Sequence, residues 1–298
     1  MDVDADMAPE DGFGFQWHIT DRCAARCAHC YQSGTAAADP PTETLARIAD
    51  HVMGAVPGPV TVNVTGGEPL LHEGLFDLMT RLAGFDNLGE LNLITSTAGM
   101  EARTIRALKS LPRLDYVKVS LESHDPRVND AIRGDGHHAT TLRNLRALAE
   151  SGLRTIVMIT LSGRNHGSVA GLCTLAGELG ARGVILERFV PLGRGAAEMG
   201  DQAVTPNQWK EVLAAIAAVA GIEASDLLPY KAFWVDGTAV SGAPCCLGSS
   251  SMAIMPDGTV FPCRRVPIPV GKLPCDDMAQ ILRTLVGYSF TPQMCFGF

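Results

Sequence analysis

Cys23, Cys27 and Cys30 stand in the run Asp21-Arg22-Cys23-Ala24-Ala25-Arg26-Cys27-Ala28-His29-Cys30-Tyr31, three thiols within eight residues. Thiolates spaced this way can reach one face of an iron–sulfur cube and leave its fourth iron without a protein ligand. An open iron can bind a substrate or a second cofactor, whereas a fully ligated cluster only carries electrons. A structural zinc ion is the competing use. Zinc takes four ligands, commonly as two Cys or His pairs about 12–20 residues apart. No second pair follows here, although His18 and His29 can each offer a fourth ligand. The triplet therefore reads as a cluster site.

Other residues join it. Thr65-Gly66-Gly67-Glu68-Pro69-Leu70 closes a β-branched run. Two glycines let a backbone approach a ligand closely, and an acid beside them can receive an ammonium. In Val119-Ser120-Leu121-Glu122-Ser123, alternation with apolar residues puts Ser120 and Glu122 on one face. Asp257-Gly258 between apolar runs predicts a two-residue hairpin turn, with cysteines on both flanks poised to ligate a common metal. Cys173 sits at an apolar position of a helical segment and reads as core.

The CxxxCxxC spacing resembles the signature of the radical S-adenosylmethionine (SAM) enzymes. The resemblance implies a 4Fe–4S cluster on Cys23, Cys27 and Cys30 whose open iron holds the amino and carboxyl groups of SAM. One electron then breaks SAM to a 5′-deoxyadenosyl radical, with an external reductant such as flavodoxin or ferredoxin as partner. His29 stands where the family usually has an aromatic residue beside the adenine. Gly66-Gly67-Glu68-Pro69 resembles the family's GGEP motif, which holds the SAM amino group through backbone carbonyls and the Glu. By the same likeness, Ser120 and Glu122 lie near the SAM ribose and carboxylate, and Arg133 contacts the carboxylate. Thr95-Ser96-Thr97 stands where the family often has Thr-Asn-Gly and receives no role. Glu187 and Arg188 fall where substrate or SAM contacts are common, or form a buried ion pair.

The C-terminal segment resembles the SPASM and twitch modules, which open with Cys, nine to fifteen residues, Gly, four residues and Cys. Cys245 leaves twelve residues before Gly258, which leaves four before Cys263. The shorter twitch version fits, with one auxiliary 4Fe–4S cluster and Cys275 and Cys295 as further ligands. Twitch modules often end on a CxxC pair, and Cys295-Phe296-Gly297-Phe298 holds only its first member. Cys246 is then the spare thiol. Facing the barrel mouth, it is expected to return a hydrogen atom to a substrate radical, as in several radical SAM epimerases.

The elements that must position these groups alternate. Strands are predicted at Phe15–Thr20, Thr61–Thr65, Glu90–Thr95, Tyr116–Leu121, Arg154–Leu161 and Gly183–Phe189. Helices are predicted at Thr42–Val56, Leu75–Ala83, Ala102–Ser110, Thr140–Ser151, Ser168–Leu179 and Pro206–Ala220. Six βα units imply an α/β fold with a parallel sheet and crossover helices. Six units rather than eight suggest an open, partial (β/α)6 TIM-type barrel, which the family resemblance also implies. The expected division is a barrel over 14–190, a linker and helix over 191–243 with Ala224–Val240 irregular, and a small iron–sulfur module over 244–298.

Composition bounds the partners. Of 298 residues 46% are apolar and 19% charged, ample for a core and contrary to disorder. A net charge of −8 speaks against nucleic acid and is compatible with a cationic substrate. Met1–Thr20 lacks a signal peptide, and no apolar stretch spans a membrane. Nine cysteines without an export signal point to a reducing cytoplasm. Only 22 residues precede Cys23, too few for a peptide-leader-binding domain. The expected activity is hydrogen abstraction from a peptide or an aminoglycoside-type small molecule, leading to epimerisation. Dehydrogenation or peptide cross-linking, with the auxiliary cluster accepting an electron, is the alternative. A non-catalytic iron–sulfur or zinc protein is a third, and Gly66–Pro69 argues against it.

Overall fold

Period-two alternation builds the strands. In β2 (Val60–Thr65) the apolar Val60, Val62 and Val64 are fully buried, while Thr61 and Asn63 between them are only half-buried. β1 (Phe13–His18) does the same with Phe13, Phe15 and Trp17. The helices answer with stripes at helical spacing: Leu45, Ile48, Ala49 and Val52 on α1 (Thr42–Ala55), and Leu75, Leu78, Met79 and Leu82 on α2 (Leu75–Ala83). A computed structural model describes residues 12–32, 38–56 and 58–287.

β3 (Leu88–Thr95), α3 (Ala102–Ser110), β4 (Leu114–Ser120), α4 (Pro126–Arg133), α5 (His137–Glu150), β5 (Thr155–Leu161), α6 (Val169–Glu178) and β6 (Val184–Arg188) complete the repeating part. β1 to β6 pair in parallel and in chain order. The α/β partial barrel is thus the observed fold. Its C-terminal strand ends gather the loops that carry the candidate residues.

Beyond shifts of one or two residues at element ends, two helices differ from expectation. α4 was not legible as a helix, yet Asp125 caps it by accepting from the Arg127 N–H, and Pro126 takes the first helical position. α5 begins at His137, ahead of the expected Thr140.

The larger correction concerns the sheet's edges. Residues 191–243 hold α7 (Gly193–Met199), α8 (Pro206–Ala220) and an antiparallel hairpin, β7 (Ala232–Asp236) and β8 (Ala239–Ala243), which extends the sheet from β6. Ala224–Val240, expected to be irregular, thus holds a 3-10 turn at Ala224–Leu227, all of β7 and the start of β8. On the opposite edge β9 (Ser251–Ile254) pairs in parallel with β1, followed by antiparallel β10 (Thr259–Phe261) and β11 (Gly271–Lys272). α9 (Met278–Gly287) closes the described chain. The result is one eleven-stranded sheet in the order β11-β10-β9-β1-β2-β3-β4-β5-β6-β7-β8. Among the described residues no helix is long and apolar enough to cross a membrane.

The β9–β10 turn also departs from the two-residue expectation. Gly258 N donates to Met255 O at 2.9 Å, Met255 N donates to Thr259 O at 2.8 Å, and Gly258 has φ +83°. This matches a longer loop in which a left-handed glycine follows a β-turn. A Cβ on Gly258 would lie 2.0 Å from Leu273 O. Gly258→Ala should therefore cost more than about 2 kcal/mol in chemical denaturation, since left-handed strain alone costs about 1–2. An unchanged midpoint would refute that packing.

Candidate active site

Chain direction sets up the site. β1 ends at His18, and the loop that follows carries the three cysteines past the C-terminal ends of the parallel strands. Neighbouring backbone fixes this loop on two sides. On one, Ile19 N donates to Thr65 O (2.9 Å), Gly67 N to Thr20 O (2.7 Å) and Glu68 N to Arg22 O (2.8 Å). On the other, Ala28 N donates to Ile132 O (2.8 Å), Gly195 N to Cys30 O (2.9 Å) and Arg194 Nη1 to Cys27 O (3.3 Å).

The glycines at 66 and 67 are required by this docking. A Cβ on Gly66 would lie 2.6 Å from Thr20 O, and one on Gly67 would lie 2.4 Å from Arg22 O. The close approach is thus to the cysteine loop's own backbone, where a ligand was anticipated. Gly193 and Gly195 play the same part from α7: their added Cβ atoms would meet Tyr31 O at 2.3 Å and Phe189 Cε2 at 2.8 Å. From sequence, Gly193-Arg194-Gly195 fell in the expected linker and received no role. Its one signal was two glycines flanking an arginine.

A cavity of about 410 Å³ opens above the strand ends. Cys23, Cys27, Cys30, His29, Gly66, Gly67, Ser120 and Arg133 all line it, joined by Glu187, Arg188, Arg264 and Arg265. Cys27 is buried, Cys30 half-buried and Cys23 exposed. Burial pushes the Cys23 and Cys30 thiols up, so a bound cation would have to hold them as thiolates.

Three expected contributors are not on the cavity wall. Glu68 is fully buried, and its carboxylate already accepts from Thr95 Oγ1 (2.7 Å), Ser96 Oγ (2.5 Å), Ser96 N (2.9 Å) and Leu70 N (3.3 Å). Burial pushes its pKa up, against those hydrogen bonds. Thr95 and Ser96, given no role from sequence, are the partners of this carboxylate, which was expected to meet an ammonium. Pro69 starts a 3-10 turn and is buried. Glu122 lies beyond the end of β4, so the strand alternation that put it beside Ser120 no longer holds.

Glu122 instead organises the wall from behind. Arg133 Nε donates to its Oε1 at 2.9 Å, Thr160 N to its Oε2 at 2.8 Å, and His29 Nε2 stands 3.4 Å away. Arg133 Nη1 reaches the Cys27 sulfur at 3.6 Å. Burial alone would raise the Glu122 pKa, but the Arg133 and His29 contacts more than offset it and hold it at about 2. His29 Nδ1 is buried without a partner among the described residues.

A depressed carboxylate pKa contributes stability that is present above the ordinary 4.5 and is lost as pH falls toward about 2. Glu122→Gln should therefore be less stable than the parent at pH 6, with the gap narrowing as pH falls through that window. Urea unfolding along a pH series checks this, and a gap that widens in acid would refute it.

At the end of β6, Glu187 pairs with Arg264 and with Arg265, the latter at 3.3 Å. Burial would raise its pKa, but the two arginines hold it at about 2. Arg188 lies over the Trp209 ring, 4.7 Å from its centroid. The ion-pair alternative for Glu187 is thus the observed one, with partners from the C-terminal segment.

A structural zinc ion would need a fourth ligand beside the three thiols. His29 Nε2 faces Glu122, and His18, fully buried and held neutral near 3 chiefly by burial, has Nε2 3.5 Å from the Tyr31 hydroxyl. Among the described residues no three His, Cys, Asp or Glu side chains are grouped to hold a single metal ion. Three thiols on one cavity wall, with an arginine N–H on one sulfur and an open imidazole nitrogen beside them, fit a cluster with a bound cofactor better.

Among the described residues none of the C-terminal cysteines lines the cavity. Cys245 and Cys275 are exposed, and Cys263 is half-buried with its sulfur 3.5 Å from Arg265 N. Cys246, expected to face the barrel mouth, lies off the cavity wall and meets Lys231 Nζ at 3.6 Å. Cys295 lies outside the described residues. Cys173 packs against the core, where burial pushes its thiol up to about 11.

A sequence profile of the radical SAM superfamily matches residues 17–176. The chain is 24% identical over 254 residues to the antilisterial bacteriocin subtilosin biosynthesis protein AlbA of Bacillus subtilis, covering 84% of this chain and 54% of that one. It is 29% identical over 269 residues to the PqqA peptide cyclase of Streptomyces rochei (87% and 71% covered). It is 25% identical over 260 residues to a GTP 3′,8-cyclase of Petrotoga mobilis (82% and 79%). The chain thus spans about half the length of the subtilosin protein. Among solved structures, Streptococcus suis SuiB bound to its precursor peptide SuiA superposes with a TM-score of 0.67 at 15% identity, covering 95% and 67% of the two chains. anSMEcpe with bound AdoMet gives 0.69 at 15% identity, covering 90% and 79%; both likenesses speak to the fold.

Proposed function

The chain belongs to the radical SAM superfamily, and we propose that it is a peptide-modifying member that joins or oxidises residues of its substrate. Family membership implies a 4Fe–4S cluster and SAM. When bound, these supply a one-electron cleavage whose product radical takes hydrogen from an unactivated carbon. The observation that carries the proposal is the single cavity shared by the cysteine triplet, the ends of β4 to β6 and two C-terminal arginines. It offers the thiols and a separate charged wall to one ligand-sized space. Relatives named for peptide cyclisation and bacteriocin biosynthesis support the substrate class.

In this reading Cys23, Cys27 and Cys30 hold the cluster, and Arg133 places an N–H on the Cys27 sulfur while Glu122 keeps that guanidinium in place. The Gly66 and Gly67 carbonyls, which accept no hydrogen bond among the described residues, take the SAM ammonium. Ser120 serves the ribose, and the open Nδ1 of His29 serves the adenine. An external flavodoxin- or ferredoxin-type protein supplies the electron. An auxiliary cluster on Cys245, Cys263 and Cys275 is the finer part of the proposal; its supports are the spacing about Gly258 and the position of Cys263 beside the cavity-lining Arg264 and Arg265.

Anaerobic incubation with SAM, a reductant and a peptide encoded beside the gene tests the reading. Release of 5′-deoxyadenosine with a product lighter by two hydrogens is the expected result. The other outcome is epimerisation, with Cys246 as hydrogen donor. It would show an unchanged peptide mass in water and one solvent deuterium in the product made in deuterium oxide. Deoxyadenosine with neither peptide change would move the substrate to a small molecule, and no deoxyadenosine would refute the enzyme reading.

A further inference from the structure

Two guanidinium groups share one carboxylate at the end of β6. Arg264, Arg265 and Glu187 have side-chain exposures of only 16%, 10% and 19%. Lys231 adds a further positive charge near Glu187. One positive charge is left over in a place mostly closed to water, where an uncompensated ion is costly. The surplus belongs to the cavity. Seven arginines line it against two acids, Asp21 and Glu187, in a chain of net charge −8. Arg133 is committed to Glu122, Arg194 to the Cys27 carbonyl and Arg22 to Asp39. Arg188 lies over Trp209 and Arg26 is exposed, so within the closed part of the site the surplus sits on the closely paired residues 264 and 265.

We propose that Arg264 and Arg265 form a carboxylate-binding subsite that takes an acidic residue of the peptide substrate. The inference rests on the peptide-modifying reading, and it replaces the cationic substrate that the net charge allowed. Guanidinium groups fix a carboxylate with paired N–H bonds, so they supply register as well as charge. Arg264 lies over the ring of Tyr31, 5.7 Å from its centroid, and Tyr31 directly follows Cys30. An acid held there anchors the peptide next to the thiol-bearing loop and presents a neighbouring residue to the reaction space.

Short peptide pools with a neutral fluorophore, carrying glutamate, glutamine or lysine at the same positions, test this by anisotropy. The reconstituted protein is saturated with SAM and kept unreduced, so binding is read without turnover. The glutamate pool should bind about tenfold tighter than the glutamine pool, and the lysine pool weakest. Arg265→Gln should remove the preference and Arg265→Lys restore part of it. Glu187→Gln should strengthen it, which a purely structural role of the ion pair would not do. Equal binding of the glutamate and glutamine pools would overturn the subsite. So would a preference that disappears when SAM is added, which would assign the arginines to SAM's own carboxylate. So would one that emerges only in Cys263→Ala, which would assign them to an auxiliary cluster. Deoxyadenosine release by the reduced parent protein is scored separately. Its absence with the acidic preference intact would fault the enzyme reading and leave the subsite standing.

Discussion

Replacing Cys23, Cys27 and Cys30 together by Ala should abolish SAM cleavage, with the rate falling to that of the protein-free reaction. The three thiols are the donor set that one cavity wall presents, and among the described residues no other cysteine lines it. His29 turns Nε2 to Glu122 and His18 turns Nε2 to Tyr31, and a lone imidazole nitrogen cannot replace three thiolates. Anaerobic reconstitution followed by iron assay and chromatographic detection of 5′-deoxyadenosine checks the outcome. Any iron bound by Cys245, Cys263 and Cys275 should survive in the triple variant, which separates the two sets of cysteines. Continued SAM cleavage would mean that the catalytic cluster sits elsewhere.

Gly67→Ala should be almost as damaging, although it touches no proposed ligand atom of the cluster. Its Cβ would lie 2.4 Å from Arg22 O and 2.8 Å from Asp21 O, both backbone atoms that cannot turn away. The cysteine loop must shift to admit the methyl group, and the hydrogen bonds Gly67 N to Thr20 O and Glu68 N to Arg22 O anchor that loop. The expected result is a loss of at least about tenfold in SAM cleavage, the scale of effect that displaced catalytic geometry gives. Gly54→Ala is the matched control. Its Cβ meets nothing within 4 Å, and it lies inside α1, so it should stabilise by about 0.5–1 kcal/mol and leave cleavage intact. Equal activity of the two variants would mean that the loop tolerates movement.

How much of this was legible in the sequence depends on the range of the forces involved. The parallel core was, because alternation such as Val60, Val62 and Val64 and helical stripes such as Leu45, Ile48 and Val52 are local signals. The triplet was, because chemistry and spacing coincide in one short run. The sheet's continuation on both edges was not. The pairing of β9 with β1, Gly14 to Ser251 and Trp17 to Ile254, leaves no trace in either segment alone. Glu68 and Glu122 show a second limit. Position in a motif tells which loop an acid occupies, but not whether its carboxylate opens to a cavity or is taken up by Ser96 and Arg133. Burial of a charge is decided by neighbours far along the chain.

The same β1–β9 pairing bears on how the protein is made. β1 emerges early from the ribosome and can pair with β2 at once, yet its other edge waits for Ser251–Ile254. Until then the strand leading directly into the cysteine loop exposes unpaired backbone groups, a standing invitation to pair with another chain. Contacts this distant in sequence form slowly, since loop closure precedes their reward. Iron delivery during synthesis would meet a thiol loop resting on a half-finished sheet, so metal loading is best timed after release. Expression hosts that hold early segments on chaperones should accordingly give more cluster-loaded protein per chain.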